Sequence, residues 1–291
     1  MAMDNNTDTK TDIKSLWDFD DPARSEAVFR ERLATARGDD ALSLQTQVAR
    51  SHGLRGRFDE AHALLDRIEP QLAGAGAEPR VRHLLERGRT WRSAKQRDRA
   101  RPLFLQAVEL ALAAKLDELA VDAMHMAALV EPDEAAQMRW NERALALALA
   151  SDDPNARSWD ASLAHNIGMT QHSAGRYDEA LASFRTALAA RERLGQADRA
   201  RVGRWMIAWT LRFLKRHDEA LAMQQALAAE FAALGRPDGF VFEEMGENLR
   251  ALGRPDEAKL WFGRAAETLA TLGPLERPDD EHLARLRALA R

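Results

Sequence analysis

Five segments of the chain close one helical stretch with a short turn and open the next with an alanine: GRFDEA (56–61), KQRDRA (95–100), GRYDEA (175–180), KRHDEA (215–220) and GRPDEA (253–258). Their alanines, Ala61, Ala100, Ala180, Ala220 and Ala258, stand 39, 80, 40 and 38 residues apart, so one unit of a regular series is disguised between the second and the third. A fixed period of this length restricts the fold, because each unit is one supersecondary element that buries its apolar face only against its neighbours. The disguised unit reads as helices over 118–130 and 133–150, interrupted at Glu131-Pro132, where proline cannot continue the first helix.

Ala, Leu, Arg and Glu dominate a chain that is 45% hydrophobic and 30% charged with one Tyr. These are strong helix formers, and the β-branched and aromatic residues that favour sheets are scarce. Gly56, Gly175 and Gly253 supply backbone freedom at the turns. The Asp two residues before each alanine is expected to cap the second helix and to favour it by its charge. Leu194-Gly195, Leu234-Gly235 and Leu272-Gly273 are expected to close second helices on a left-handed glycine. Residues 1–14 are polar and expected to be disordered.

Within HNIGMTQHSAGRYDEALASFRTAL (165–188), Gly168, Gly175, Tyr177, Ala180, Phe184 and Ala187 stand at the spacings of the tetratricopeptide signature, and the chain resembles that family. Gly246, Gly253, Ala258, Phe262 and Ala265 repeat most of it, as do Gly88, Trp91, Ala100, Phe104 and Ala107. The resemblance implies an all-α, right-handed α-solenoid of about six helix pairs, at about 41–76, 80–114, 117–151, 157–195, 197–235 and 237–273. An N-terminal half-repeat over 15–40 contains DPARSEAVFRERL (21–33), and an amphipathic capping helix at 278–291 carries Leu283, Leu286 and Leu289 on one side. A period longer than the family's usual length of about 34 implies helices extended by about a turn.

In this architecture the first helix of each pair lines the binding groove. Small residues Ala49, Gly88, Ala128, Gly168, Ala208 and Gly246 mark its buried side, and positions three before and one after each marker share a face. The rows that result are Thr46, Leu85, His125, His165, Trp205 and Glu243, then Arg50, Arg89, Leu129, Met169, Trp209 and Glu247, with Gln47, Glu86, Met126, Asn166, Met206 and Glu244 between them. The expected groove is basic at its N-terminal end, apolar in the middle, aromatic at the fifth repeat and acidic at the last. Arg82 and Arg89, on either side of Glu86, are placed to receive an acidic segment.

The fifth repeat carries a second apolar stripe, Val202, Trp205, Met206, Trp209 and Phe213, beside the core positions Ile207, Ala208, Leu211 and Leu214. Such a stripe is either covered inside the monomer or a docking surface, since clustered Trp, Met and Arg are typical of interface anchors. Asn166 matches the Asn of family members that clamp a peptide carboxylate, but the Lys partners of that clamp are absent and Arg50 and Arg89 lie two to three repeats away. Solvated groove polarity is the simpler reading of Asn166.

Other chemistries find little support. There is no Cys, no glycine-rich phosphate loop, no GxSxG and no HExxH. His125, His165 and His172 lack a fourth ligand at metal spacing, so no metal, cofactor or catalytic residue is expected. A net charge of −4 lacks the one-sided field of a nucleic-acid binder, and the arginines of the second repeat spread around both helices. With no apolar run of signal or membrane-span length, the expected setting is the cytoplasm, away from membranes. The expected function is a non-catalytic scaffold binding a peptide or protein segment in the groove. The alternatives are a ligand-sensing regulator, for whose DNA-binding domain the repeats leave no room, and a homodimer formed through the fifth repeat.

Overall fold

A computed structural model describes residues 12–273 and 277–291. Well over two thirds of them are helical, and no strand occurs among the described residues. The chain divides into two compact units, Met1–Trp159 and Asp160–Arg291. The first unit holds α1 (Pro22–Leu33) and the pairs α2 (Gly38–Leu54) with α3 (Phe58–Ile68), α4 (Ala77–Ser93) with α5 (Arg97–Ala113), and α6 (Asp117–Ala128) with α7 (Glu134–Ala150), followed by the short α8 (Pro154–Arg157). The second holds α9 (Asp160–Ser173) with α10 (Tyr177–Arg193), α11 (Ala197–Phe213) with α12 (His217–Ala233), and α13 (Gly239–Ala251) with α14 (Pro255–Ala270), closed by α15 (Asp280–Leu289). Leu283 and Leu286 of α15 are buried in the cluster that includes Phe262 and Leu269.

The expected tail falls, up to residue 11, outside the described residues. Ile13, by contrast, is buried in a cluster with Phe29, Leu44 and Val48, and Lys14–Leu16 form a 3-10 turn.

The turn between the helices of a pair is set by the backbone. Gly56, Gly175 and Gly253 take φ of +73°, +74° and +74°, and Lys95 and Lys215 take the same left-handed conformation where glycine is missing. The residue after each donates its N–H back five positions, as Arg57 does to His52 and Arg176 to Gln171, both at 2.9 Å. That same residue is the N-cap of the next helix, so the aspartates do not cap as expected: Asp59, Asp98, Asp178, Asp218 and Asp256 are second in their helices and act through charge alone. True aspartate caps stand elsewhere, at Asp21, Asp133, Asp153, Asp238 and Asp279. Gly195 and Gly235 close their helices with positive φ, but Gly273 does not, because α14 ends earlier on a right-handed Thr271.

The two helices of a pair meet through matched sizes. A Cβ on Gly88 would lie 2.5 Å from the ring of Phe104, one on Gly168 2.7 Å from Phe184, and one on Gly246 2.8 Å from Phe262. All three rings are buried in full or nearly so. Where the first helix carries alanine instead, at Ala49, Ala128 and Ala208, the equivalent second-helix positions are Leu65, Ala144 and Gln224. Ring and Cβ cannot share the space, so each pair chooses one.

Gln224 departs from this apolar rule. It is fully buried, and neither amide atom has a hydrogen-bond partner. An orphaned buried amide is costly. Gln224→Leu, which copies the Ala49/Leu65 pairing, is therefore expected to stabilise the chain by about 1 kcal/mol, read as a higher urea midpoint at unchanged slope. A lower midpoint would contradict this packing.

Candidate functional site

Because the small markers turn one side of each first helix toward its partner helix, the flank three before and one after each marker is left for chemistry. In the first unit this face gathers ion pairs. Arg89 donates to Glu86 at 2.6 Å and to Asp122 at 2.6 Å, and Arg50 Nη1 lies 3.8 Å from Glu86. Arg82 pairs with Glu78 at 2.9 Å. Burial opposes the Arg89 charge, yet Asp122 and Glu86 more than offset it and hold its pKa above the ordinary value. Burial likewise opposes the Asp122 carboxylate, and Arg89 and Arg50 keep it ionised below the usual range. Arg50, without equal compensation, is lowered by burial and by Arg89.

Two carboxylates thus answer two guanidiniums, where the sequence led us to expect a basic end. Asp122 lies outside the expected rows, three residues before His125 as Arg82 stands three before Leu85. Met126 is buried and lines a small cleft with Arg50, Glu86 and Arg89. The His125 ring is half-buried, 5.4 Å from that of Trp159.

In the second unit the same face is an aromatic ladder. The Trp205 and Trp209 rings stack with centroids 5.7 Å apart, and Trp209 stacks on His172 at 3.6 Å. Phe213 meets His172 and Trp209 edge-on, and Tyr177 lies 5.1 Å from Phe213. Trp205 and Trp209 are half-buried, whereas Val202, Phe213 and Met169 are 51%, 38% and 36% exposed. Met206 belongs to the core with Ile207 and Leu211. His165 packs beside the Phe184 ring, and Asn166, half-buried, follows it on α9.

Three ring nitrogens on this face are buried without a hydrogen-bond partner: Trp205 Nε1, His165 Nδ1 and His172 Nε2. Burial, helped by Arg191, lowers the His165 pKa to about 4, and burial with Arg212 does the same for His172. Both rings are neutral at pH 7.

The expected acidic end is neutralised. Arg212 grips Glu244 with two hydrogen bonds of 2.8 and 2.9 Å. Glu243 receives His282 and Arg285 from α15, each at 2.9 Å, and Glu247 pairs with Arg250 at 2.7 Å and with Arg285. No group of three or more His, Asp or Glu residues is placed to hold a metal among the described residues. No helix among them is long and apolar enough to cross a membrane.

Residues 159–229 match the sequence model of the tetratricopeptide repeat. No curated protein matches it in sequence. Similar solved structures include a signal transduction ATPase with numerous domains from Pyrococcus horikoshii, which has a tetratricopeptide repeat sensor: TM-score 0.72, 10% identity and 93% of this chain covered. The chain spans 42% of the length of that ATPase. The apo form of RapI is similar at TM-score 0.74 and 12% identity, over 94% of this chain and 76% of RapI. NprR in complex with its cognate peptide NprX aligns at TM-score 0.50 and 13% identity, over 100% and 84% of the two chains. At these identities the likeness is one of fold.

The buried histidines set a pH dependence. Unfolded, each titrates near its ordinary value of 6.5, but folded only near 4, so between those values the unfolded state binds more protons. Their contribution is complete above about pH 6.5 and is lost as pH falls toward 4. The melting temperature is expected to drop between pH 7.5 and pH 5, and to drop less in His172→Gln. Parallel curves for the two proteins would contradict the assignment.

Proposed function

We propose that the chain is a non-catalytic scaffold that seats an extended peptide or protein segment on the first-helix face of the second unit, formed by α9, α11 and α13. The observation that carries this reading is the aromatic ladder of Trp205, Trp209 and Phe213. Stacked, half-exposed rings offer a large and rigid contact area at low entropic cost. Of the sequence-derived positions, Met169, Trp205, Trp209 and Phe213 provide the apolar contact, with His165 and Asn166 at one side.

His165 and His172 are the side chains nearest to acid–base duty on this face. A pKa of about 4 makes each a weak base at neutral pH, and both lie against aromatic rings rather than beside a nucleophile. That supports binding over catalysis. The fold-level likeness to NprR, solved with a peptide, is consistent with the same reading. A second copy of the chain meeting this face is the competing occupant, and light scattering on the purified protein separates the two.

If Trp205 and Trp209 anchor the ligand, the double change Trp205→Ala with Trp209→Ala is expected to abolish capture of partner proteins from a lysate while leaving the helical circular dichroism intact. Each anchor is worth roughly 2 kcal/mol or more. A double variant that keeps its partners but melts far below the parent would make the ladder part of the core, and the reading would fall.

A further inference from the structure

The first unit already has a peptide on its first-helix face: its own. Residues 12–19 run as irregular chain around the single 3-10 turn at Lys14–Leu16. Ile13 is buried against Phe29, Leu44 and Val48. The Lys14 ammonium donates to the Ser158 hydroxyl at 2.7 Å and to the Asn155 carbonyl at 3.3 Å, beyond three helix pairs in sequence. Trp17 Nε1 donates to Gln47 at 2.9 Å, and its ring rests edge-on against Phe29 and stacks on Phe19. The Arg50 guanidinium lies 5.1 Å from the centres of both the Trp17 and Phe19 rings. Gln47 and Arg50 belong to the face that lines the groove, so the segment lies on the surface where a ligand would.

Its attachment is that of a ligand rather than of a folded element. Residues 12–17 make no backbone hydrogen bond to α2, α4, α6 or α8; their backbone bonds are internal, Leu16 to Ile13 and Trp17 to Lys14. Residues 12–17 are held by one aliphatic plug, one ammonium and one indole, and the segment is hydrogen-bonded to α1 only beyond them, at Asp18, whose N–H donates to the Ser25 hydroxyl at 2.8 Å and whose carbonyl accepts from it at 2.8 Å. Beside it remains a cleft of about 420 Å³ between the segment and the starts of α4, α6 and α8. Apart from the segment itself, Glu78, Asp117, Glu118 and Asp153 line this cleft against Arg82 and Lys115. Four carboxylates facing two cations favour a lysine-bearing occupant.

We propose that residues 12–19 are a displaceable internal ligand occupying a peptide site on the first unit, and that the external ligand of this site is a segment with an aliphatic residue followed by lysine and, three residues on, an aromatic. A tethered copy competes at high effective concentration, so the site is masked in the intact chain and opens only to a ligand that outcompetes it. The proposal concerns helices other than those of the aromatic ladder and stands or falls independently of it.

The probe is a fluorescein-labelled peptide of residues 12–19, added in trans and followed by anisotropy. The full chain carrying Ile13→Asp and Lys14→Glu is expected to bind it at least about 10-fold more tightly than the parent chain, and the peptide carrying the same two changes is expected to bind neither. A folded variant that binds no better than the parent overturns the proposal. Should that variant lose its helical signal, hydrogen exchange on the parent decides. The amides of Leu16 and Trp17 are expected to exchange at least about 100-fold faster than those of α2, because the segment opens without the helices. Exchange as slow as that of α2 would make the segment a fixed part of the fold.

Discussion

The close approach of two helices at a residue with no side chain, or almost none, is the contact on which the rest depends. Gly88, Gly168 and Gly246 leave room for Phe104, Phe184 and Phe262, and the rings fill it so fully that a single added carbon would meet them at under 3 Å. Burying such a ring is worth a few kcal/mol, and losing one costs as much. More important for function, the contact fixes the rotation of each first helix about its axis. Once Gly168 faces Phe184, the side chains one after it and three before it share the flank of the helix beside that contact. On α11 the small residue is Ala208, and the same rotation sets Trp205 and Trp209 side by side in the ladder.

Electrostatics then shape what that face offers. Charged residues are plentiful on it, but the structure pairs them: Arg89 with Glu86 and Asp122, Arg212 with Glu244, Arg285 with Glu243 and Glu247. Buried pairs of this kind contribute little net stability, because desolvation offsets attraction, but removing one partner strands the other. Their effect is to join neighbouring first helices, as Arg89 joins α4 to α6 and Arg212 joins α11 to α13. What remains for recognition in the second unit is the uncharged part, with half-exposed rings. In the first unit an indole and an ammonium from the chain's own N-terminal segment cover the equivalent face.

Helix pairs, turns and family were legible in the sequence because they depend on local chemistry: left-handed residues at fixed spacing, alanine and glycine opposite bulky residues, proline where a helix stops. The aspartate caps were misread because one backbone residue serves both as the end of one helix and the cap of the next, a coupling that residue types alone do not reveal. The charge gradient along the groove was misread for a different reason. Side chains were assigned to rows along the first helices, but partners from adjacent rows and from α15 cancel them, and Asp122 and Arg285 enter from positions the rows did not include. Residues 1–14 looked like a polar tail because Ile13 is a single apolar residue in it, and Leu16 and Trp17 fell to the half-repeat expected over 15–40; the burial of Ile13 is a tertiary fact.

The central claim is that ligands are read by first-helix faces. Peptides selected from a random library against the full chain, then mapped by hydrogen exchange and by photo-crosslinking, test it most directly. The account predicts crosslinks to Met169, Trp205, Trp209 or Phe213 and added protection confined to α9, α11 and α13. Crosslinks to the outer sides of α10 and α12, with α9 and α11 unchanged, would contradict it.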